Sequence, residues 1–286
     1  MTSPHIALTI AASDPSGGAG IQADLKAFSA NGAYGTAVLT ALTAQNTRGV
    51  TGIHAVPPAF VTEQLDTLFA DVRVDAVKIG MLADAAIAAA VADALERHRP
   101  PYVVLDPVMV STSGHRLLEA DAVSVLRERL LPLADLITPN LPEAGDLLGT
   151  AAAKNRADAI EQARALLRAG ARRVLLKGGH HTHDAQSVDI LADAIDAADA
   201  TAATAATGAL GAGVTELSAP RVNTRNTHGT GCTLSSAIAA LRPQHDDWTT
   251  AVRAAKDYLT GALRAADTLH VGHGHGPVHH FHQYWS

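Results

Sequence analysis

With 286 residues, 47% of them apolar and 17% charged, the chain is long enough for one large α/β domain and has the balance of a globular protein. A net charge of −6, no lysine and arginine cluster and only 3% aromatics leave no footprint for binding nucleic acid. No apolar run reaches the roughly 18 residues of a membrane helix, the N-terminus lacks a basic-then-apolar leader, and the single cysteine cannot form an internal disulfide; together these favour a cytoplasmic protein.

Short β-type runs then alternate with helical patterns along the chain. Ile6 to Ala11 predicts a strand, and Gly20 to Ala30 a helix with Ile21, Leu25 and Phe28 on one face. Thr36 to Thr43 predicts a second strand, and Val61, Leu65 and Leu68 mark a helix over Phe60 to Phe69. Ala76 to Ile79 predicts a short buried strand ending at Gly80, followed by a helix marked by Ile87, Val91 and Leu95. Tyr102 to Leu105 predicts a strand ending in Asp106-Pro107, and Val123, Leu126 and Leu130 mark another helix. Leu136 to Asn140 closes a further strand; Ile160, Ala163 and Leu167 are helical, and Val174 to Lys177 is strand again. Such alternation implies a largely parallel sheet with helices on both faces. Ligands of these sheets sit beyond the carboxyl ends of the strands. Polar and glycine residues gather at those ends: Asp14 to Gly20, Gln45-Asn46, Gly80-Met81, Asp106, Asn140 and Lys177-Gly178-Gly179.

Two segments depart from the pattern. Residues 192–213 are nearly all Ala, Asp, Thr and Gly, with no apolar face, and read as a flexible insertion within a single domain spanning 1–286. The last 17 residues hold six histidines, His270, His273, His275, His279, His280 and His282. Imidazole ligates metals, but the spacing matches no closed zinc site, so a terminal segment packed on the body is the favoured reading.

The most informative stretch is Asn226-Thr227-His228-Gly229-Thr230-Gly231-Cys232-Thr233, which runs straight into the apolar Leu234 to Leu241. A turn with two glycines opening a helix aims several unpaired N–H groups in one direction, and the helix dipole adds roughly half a positive charge there. Such a place holds phosphate or a developing oxyanion. Cys232 sits at its mouth, where a helix N-terminus lowers a thiol pKa and predicts partial thiolate at neutral pH. The alternative is a small apolar residue at a helix start.

Seven blocks carry a family resemblance: Ala11 to Lys26, Ala41 to Thr47, Lys78 to Leu82, Asp106 to Met109, Thr138 to Ala144, Lys177 to His180 and Asn226 to Ser235. In this order, from about Ile6 to Phe281, the chain resembles bacterial hydroxymethylpyrimidine and phosphomethylpyrimidine kinases of thiamine biosynthesis, which are ribokinase-like; even Gly274 to Val278 is similar to the family's carboxyl end. The resemblance implies a three-layer α/β/α fold with a mostly parallel central sheet. It implies ATP with Mg2+, two successive phosphorylations of 4-amino-5-hydroxymethyl-2-methylpyrimidine, and a homodimer. The insertion at 192–213 is longer than the family pattern requires.

Phosphoryl transfer needs positioning and charge neutralisation more than covalent chemistry. Gly229, Thr230 and Gly231 would give backbone donors to the moving phosphoryl group, and the resemblance puts Cys232 where related sugar kinases have an aspartate base. The amide of Gln45 offers a donor and an acceptor in one plane, matching the ring nitrogen and amino group of an aminopyrimidine. By resemblance Asp24 and Ala19 also lie by the pyrimidine, with Met81 and Val108 as apolar walls or core. Asp106, Asn140 and Glu143 would surround the nucleotide phosphates, with Asp106 and Glu143 reaching Mg2+ through water. Asn140 and Glu143 also have the spacing of a capping box. Lys177 ends a buried strand, where a charge needs an anionic partner, and ATP phosphate is the expected one. Two other functions fit less well: a pyridoxal kinase, and a non-catalytic protein that senses the pyrimidine phosphate.

Overall fold

The computed structural model describes residues 3–109, 120–178, 185–194 and 213–285. Strands β1 (Ile6–Ala11), β2 (Tyr34–Leu39), β5 (Ala76–Ile79), β6 (Val103–Leu105), β7 (Leu136–Ile137), β8 (Arg173–Leu176), β9 (Gln186–Asp193) and β10 (Val214–Pro220) form one sheet in the order β10-β9-β8-β7-β6-β5-β1-β2. From β8 to β2 every pairing is parallel; β9 and β10 add two antiparallel pairings at the other edge. β1 lies between β2 and β5, so the chain first winds one way and then the other. This switch point opens a crevice beyond the carboxyl ends of β1 and β5, the expected place for a ligand.

Period-two alternation along the strands divides the core between the two faces. Leu8, Ile10, Val77, Ile79, Val103 and Leu105 face one cluster, built with helices α2 (Pro58–Asp71), α3 (Ala85–His98), α4 (Ala120–Val125), α5 (Leu141–Leu148) and α6 (Arg156–Arg168). Ala7, Ala76, Val104, Leu136, Leu175 and Leu191 face the other, built with α1 (Gly20–Ala30), α7 (Thr230–Leu241) and α8 (Trp248–Arg264). The result is the three-layer α/β/α arrangement that the sequence predicts.

Three expectations need correction. The strand predicted over Thr36 to Thr43 is broken at Thr40. There β2 ends, and β3 (Ala41–Asn46) leaves the sheet to pair antiparallel with β4 (Gly49–Ala55) in a separate hairpin. The bend is tertiary in origin: the buried Thr40 hydroxyl donates to the Met81 carbonyl at 2.7 Å, which no local pattern announces. The helix marked by Val123 to Leu130 is regular only in α4 and widens to a π-turn over Leu126–Leu130. The insertion read at 192–213 is too wide at its edges: Ala192 and Asp193 belong to β9, and the Asp193 N–H donates to the Gly213 carbonyl at 2.8 Å. The rest of it, 195–212, lies outside the described residues.

The terminal segment packs on the body. His279 and His280 are buried, His280 Nε2 lies 3.0 Å from the Thr233 hydroxyl in α7, and the Tyr258 hydroxyl donates to the His280 carbonyl at 2.9 Å.

Candidate active site

A cavity of about 700 Å³ lies beyond the carboxyl ends of β1, β5, β6, β7 and β8. It gathers Ala19, Gln45, Met81, Val108, Asp106, Asn140, Glu143, Lys177, Gly229, Thr230, Gly231 and Cys232, every residue of the sequence-derived set except Asp24. Gln45, on β3, and Val50, on β4, bring the hairpin over one end, beside Ala19, Met81 and Val108. Met81 also packs with the buried Ala12 and Ala41, so it is wall and core together. At the opposite end Ala219, Val222, Leu259 and Leu263 form an apolar lining.

Between the two ends stands the start of α7. Its N-cap, Gly229, is left-handed with φ 78°, and a Cβ there would lie 1.7 Å from the Gly18 carbonyl oxygen. Both conditions require glycine. The cap supplies no side chain; the Thr230 N–H, expected as a donor to the phosphoryl group, instead donates to the Thr227 carbonyl at 3.3 Å, and among the described residues the N–H groups of Gly231 and Cys232 have no protein acceptor. Two convergent donors on a helix N-terminus form a cradle for anionic oxygen. α5 differs: Asn140 and Glu143 complete a reciprocal capping box at 2.7 and 2.8 Å, as their spacing predicts.

The floor carries buried charge. Lys177 Nζ lies 2.9 Å from Asp106 Oδ1 and 3.8 Å from Glu143 Oε2, so protein carboxylates already partner it. Burial opposes both the Lys177 charge and the Asp106 charge, but their attraction wins: Lys177 is held above the usual lysine range and Asp106 below the usual carboxylate range. Glu143 goes the other way. Burial, with Asp106 adding repulsion, pushes it up to about 7 against the pull of Lys177. Two carboxyl groups sharing one ammonium end with one ionised and one near neutral.

Cys232 departs from expectation. Although half-buried against the cavity, its thiol is pushed up to about 11: burial raises it, Lys78 lowers it, and Asp24 and Asp106 add to the rise. The local helix-terminus argument is outweighed by desolvation and two nearby carboxylates. Asp24 is the other correction. It does not line the cavity; it lies fully buried beneath it, with both oxygens 2.9 Å from Lys78 Nζ and further bonds from the Thr9 and Ser236 hydroxyls at 2.6 and 2.7 Å. Asp24 therefore fixes Lys78, whose burial is outweighed by Asp24 so that its ammonium is held charged.

The family model for phosphomethylpyrimidine kinase matches residues 14–279. The chain belongs to the phosphomethylpyrimidine kinase family. It is 54% identical over 279 residues to the hydroxymethylpyrimidine/phosphomethylpyrimidine kinase of Escherichia coli K12, covering 98% of both chains. The corresponding protein of Salmonella typhimurium is 55% identical over the same share. Among solved structures, a phosphomethylpyrimidine kinase from Clostridium difficile 630 is 38% identical with a TM-score of 0.74, over 91% of this chain and 99% of that one. The ADP complex of Bacillus subtilis pyridoxal kinase is 34% identical with a TM-score of 0.85, over 99% of this chain and all of that one. The ribokinase-like fold is thus shared with a phosphomethylpyrimidine kinase and a pyridoxal kinase.

Sequence reasoning on this kinase-family chain missed four charged groups and a histidine. Asp14 Oδ2 accepts from His228 Nε2 at 2.8 Å, joining the first motif to the phosphate turn. Lys78 stands in a strand that is buried throughout, a signal of an anionic partner. Lys256 of α8 pairs with Asp189 of β9 at 2.5 Å, and the other oxygen of Asp189 accepts the Gly178 N–H at 2.9 Å beside Lys177. Nothing in the local sequence marks that pair, because a lysine on an amphipathic helix reads as solvent-facing.

Proposed function

We propose that this chain is an ATP-dependent phosphotransferase of thiamine biosynthesis. It phosphorylates 4-amino-5-hydroxymethyl-2-methylpyrimidine and then its monophosphate to the diphosphate. The observation that carries the reading is the Gly231–Cys232 donor pair facing, across one cavity, a planar amide between apolar walls. Full-length identity of 54% to the Escherichia coli enzyme of that name supports it.

Gln45 pairs with the edge of the aminopyrimidine, and Ala19, Met81 and Val108 enclose its faces. The hydroxymethyl group then points at the α7 turn. Cys232, ionised from a thiol that the ligand-free site keeps neutral, takes the alcohol proton as the oxygen attacks the γ-phosphoryl group and ADP leaves, and the N–H groups of Gly231 and Cys232 hold the transferring oxygens. Lys177 steadies the phosphates, and the apolar lining at Leu259 and Leu263 suits adenine. The acidic groups fit Mg2+: Asp106 and Glu143 present hard oxygen donors at the phosphate end, and a cation there would favour the ionised form of Glu143. Bound there, Mg2+ would neutralise phosphate charge, with Asn140 holding Glu143 in place through the capping box. Exposed Leu42 and Ile53 on the β3–β4 hairpin support a homodimer as part of the reading. A cytoplasmic setting suits its small soluble substrates, and among the described residues no helix is long and apolar enough to cross a membrane.

The test is ATP consumption with the pyrimidine alcohol, with mass spectrometry of products and pyridoxal as a parallel acceptor. Monophosphate followed by diphosphate is expected. Turnover of pyridoxal with none of the pyrimidine would transfer the chain to the other vitamin.

A further inference from the structure

His228 immediately precedes the α7 N-cap and lines the cavity between Gln45 and the Gly231–Cys232 donors. Its orientation is fixed from three sides. The backbone N–H donates to the Gly276 carbonyl at 3.0 Å, the residue bridges to Pro277, and a Cβ on Gly18 would lie 2.4 Å from its Cδ2 atom.

The ring's hydrogen bonding follows from its neighbours. Asp14 Oδ2 also accepts the Gly18 and Ala19 N–H groups, at 3.1 and 2.8 Å. Burial would raise the Asp14 carboxyl, but the bonds from His228 and Ser16 hold it below its ordinary range, so it is an acceptor only. Nε2 of His228 therefore carries the proton and donates to Asp14. Gln45 Nε2, 3.4 Å away, faces a second donor and keeps its N–H groups for a ligand. The remaining ring atom, Nδ1, has no hydrogen-bond partner among the described residues and is not among their sealed unpaired atoms. The residue lines the cavity, so a group running from Gln45 to the α7 turn passes beside the ring.

Resting on the pyrimidine-kinase reading, we propose that His228 is a specificity-determining residue for the second phosphorylation. Its Nδ1 edge binds the phosphate of the pyrimidine monophosphate while Nε2 stays on Asp14. The acceptor of the first step is a neutral alcohol, which gains little from that edge. The acceptor of the second step is an anionic phosphate, which pairs with the ring when both nitrogens carry hydrogen, Nε2 donating to Asp14 and Nδ1 to the phosphate.

Two substitutions separate the ring edges. His228→Gln places an amide donor near Nε2 and leaves nothing at Nδ1; His228→Asn places one near Nδ1 and abandons Asp14. The readouts are kcat/KM for each acceptor, the KM-against-kcat split, calorimetric binding of alcohol and monophosphate, and the melting temperature. In H228Q the ratio of second-step to first-step kcat/KM should fall roughly tenfold or more, mainly through KM for the monophosphate. H228N should retain more of that ratio than H228Q, even where it melts lower. Equal losses in both steps, or an unchanged ratio in H228Q, would overturn the inference and leave the kinase reading standing. Wild-type protein that binds neither acceptor would overturn both.

Discussion

Replacing Lys78 with methionine isolates the buried charge at the cavity floor. Lys78 and Asp24 have no side-chain exposure, and the ammonium lies 2.9 Å from both carboxylate oxygens. Methionine refills most of the aliphatic volume, so packing changes little. What remains is a carboxylate held only by the hydroxyls of Thr9 and Ser236, which donate hydrogen bonds but do not neutralise it. Removing one partner of such a pair costs about 3–5 kcal/mol, because the other charge is left alone in low dielectric. In a chain of this size each kcal/mol lowers the melting temperature by roughly 2–4 °C, so a fall of roughly 6–20 °C is expected. Adding Asp24→Asn removes the stranded charge and should restore most of the loss. The assay is thermal and urea unfolding of both single variants and the double variant as a cycle. A K78M protein within about 1 kcal/mol of wild type, the range of an exposed pair, would refute the reasoning; so would a double variant no more stable than K78M.

Cys232→Ala should reduce the first phosphorylation by about 10²–10⁴ and the second by less, because an alcohol must lose a proton and a phosphate oxygen need not; separate rates for the two acceptors check this. Gln45→Leu should weaken pyrimidine binding by roughly 1–3 kcal/mol and leave ATP binding nearly unchanged, as calorimetry with each ligand would reveal. Glu143 sits at about 7 in the folded protein against an ordinary 4.5, so the native state holds a proton that the unfolded state has released. Stability of the ligand-free protein should therefore fall as pH rises from about 4.5 to about 7, by no more than about 3–4 kcal/mol, and Glu143→Gln should flatten that slope in urea titrations.

What the sequence discloses here is what local rules govern. Apolar strands cut short by Asp106, Asn140 and Lys177 reveal both the strands and the rim of the site, since a polar group at a strand end has nowhere apolar to go. The Asn140–Glu143 box and the Gly229 cap are set within four residues of chain, so spacing alone predicts them. Asp24 was legible in principle: it shares a face with Ile21 and Phe28 at helical spacing, and that face is buried. A carboxylate on an apolar face calls for a cation, and the one lysine in a fully buried strand, Lys78, supplies it. The remaining features have no local sign. The break at Thr40 depends on a carbonyl 41 residues away, and the Asp14–His228 bond spans 214 residues. The thiol of Cys232 shows the same limit in energetic form. A helix start stabilises thiolate over one turn, but burial and the fields of Asp24 and Asp106 act through space. In this site the hydrogen-bond donors are written locally and the charges that tune them are not, so proton affinities follow from the fold and not from the motif.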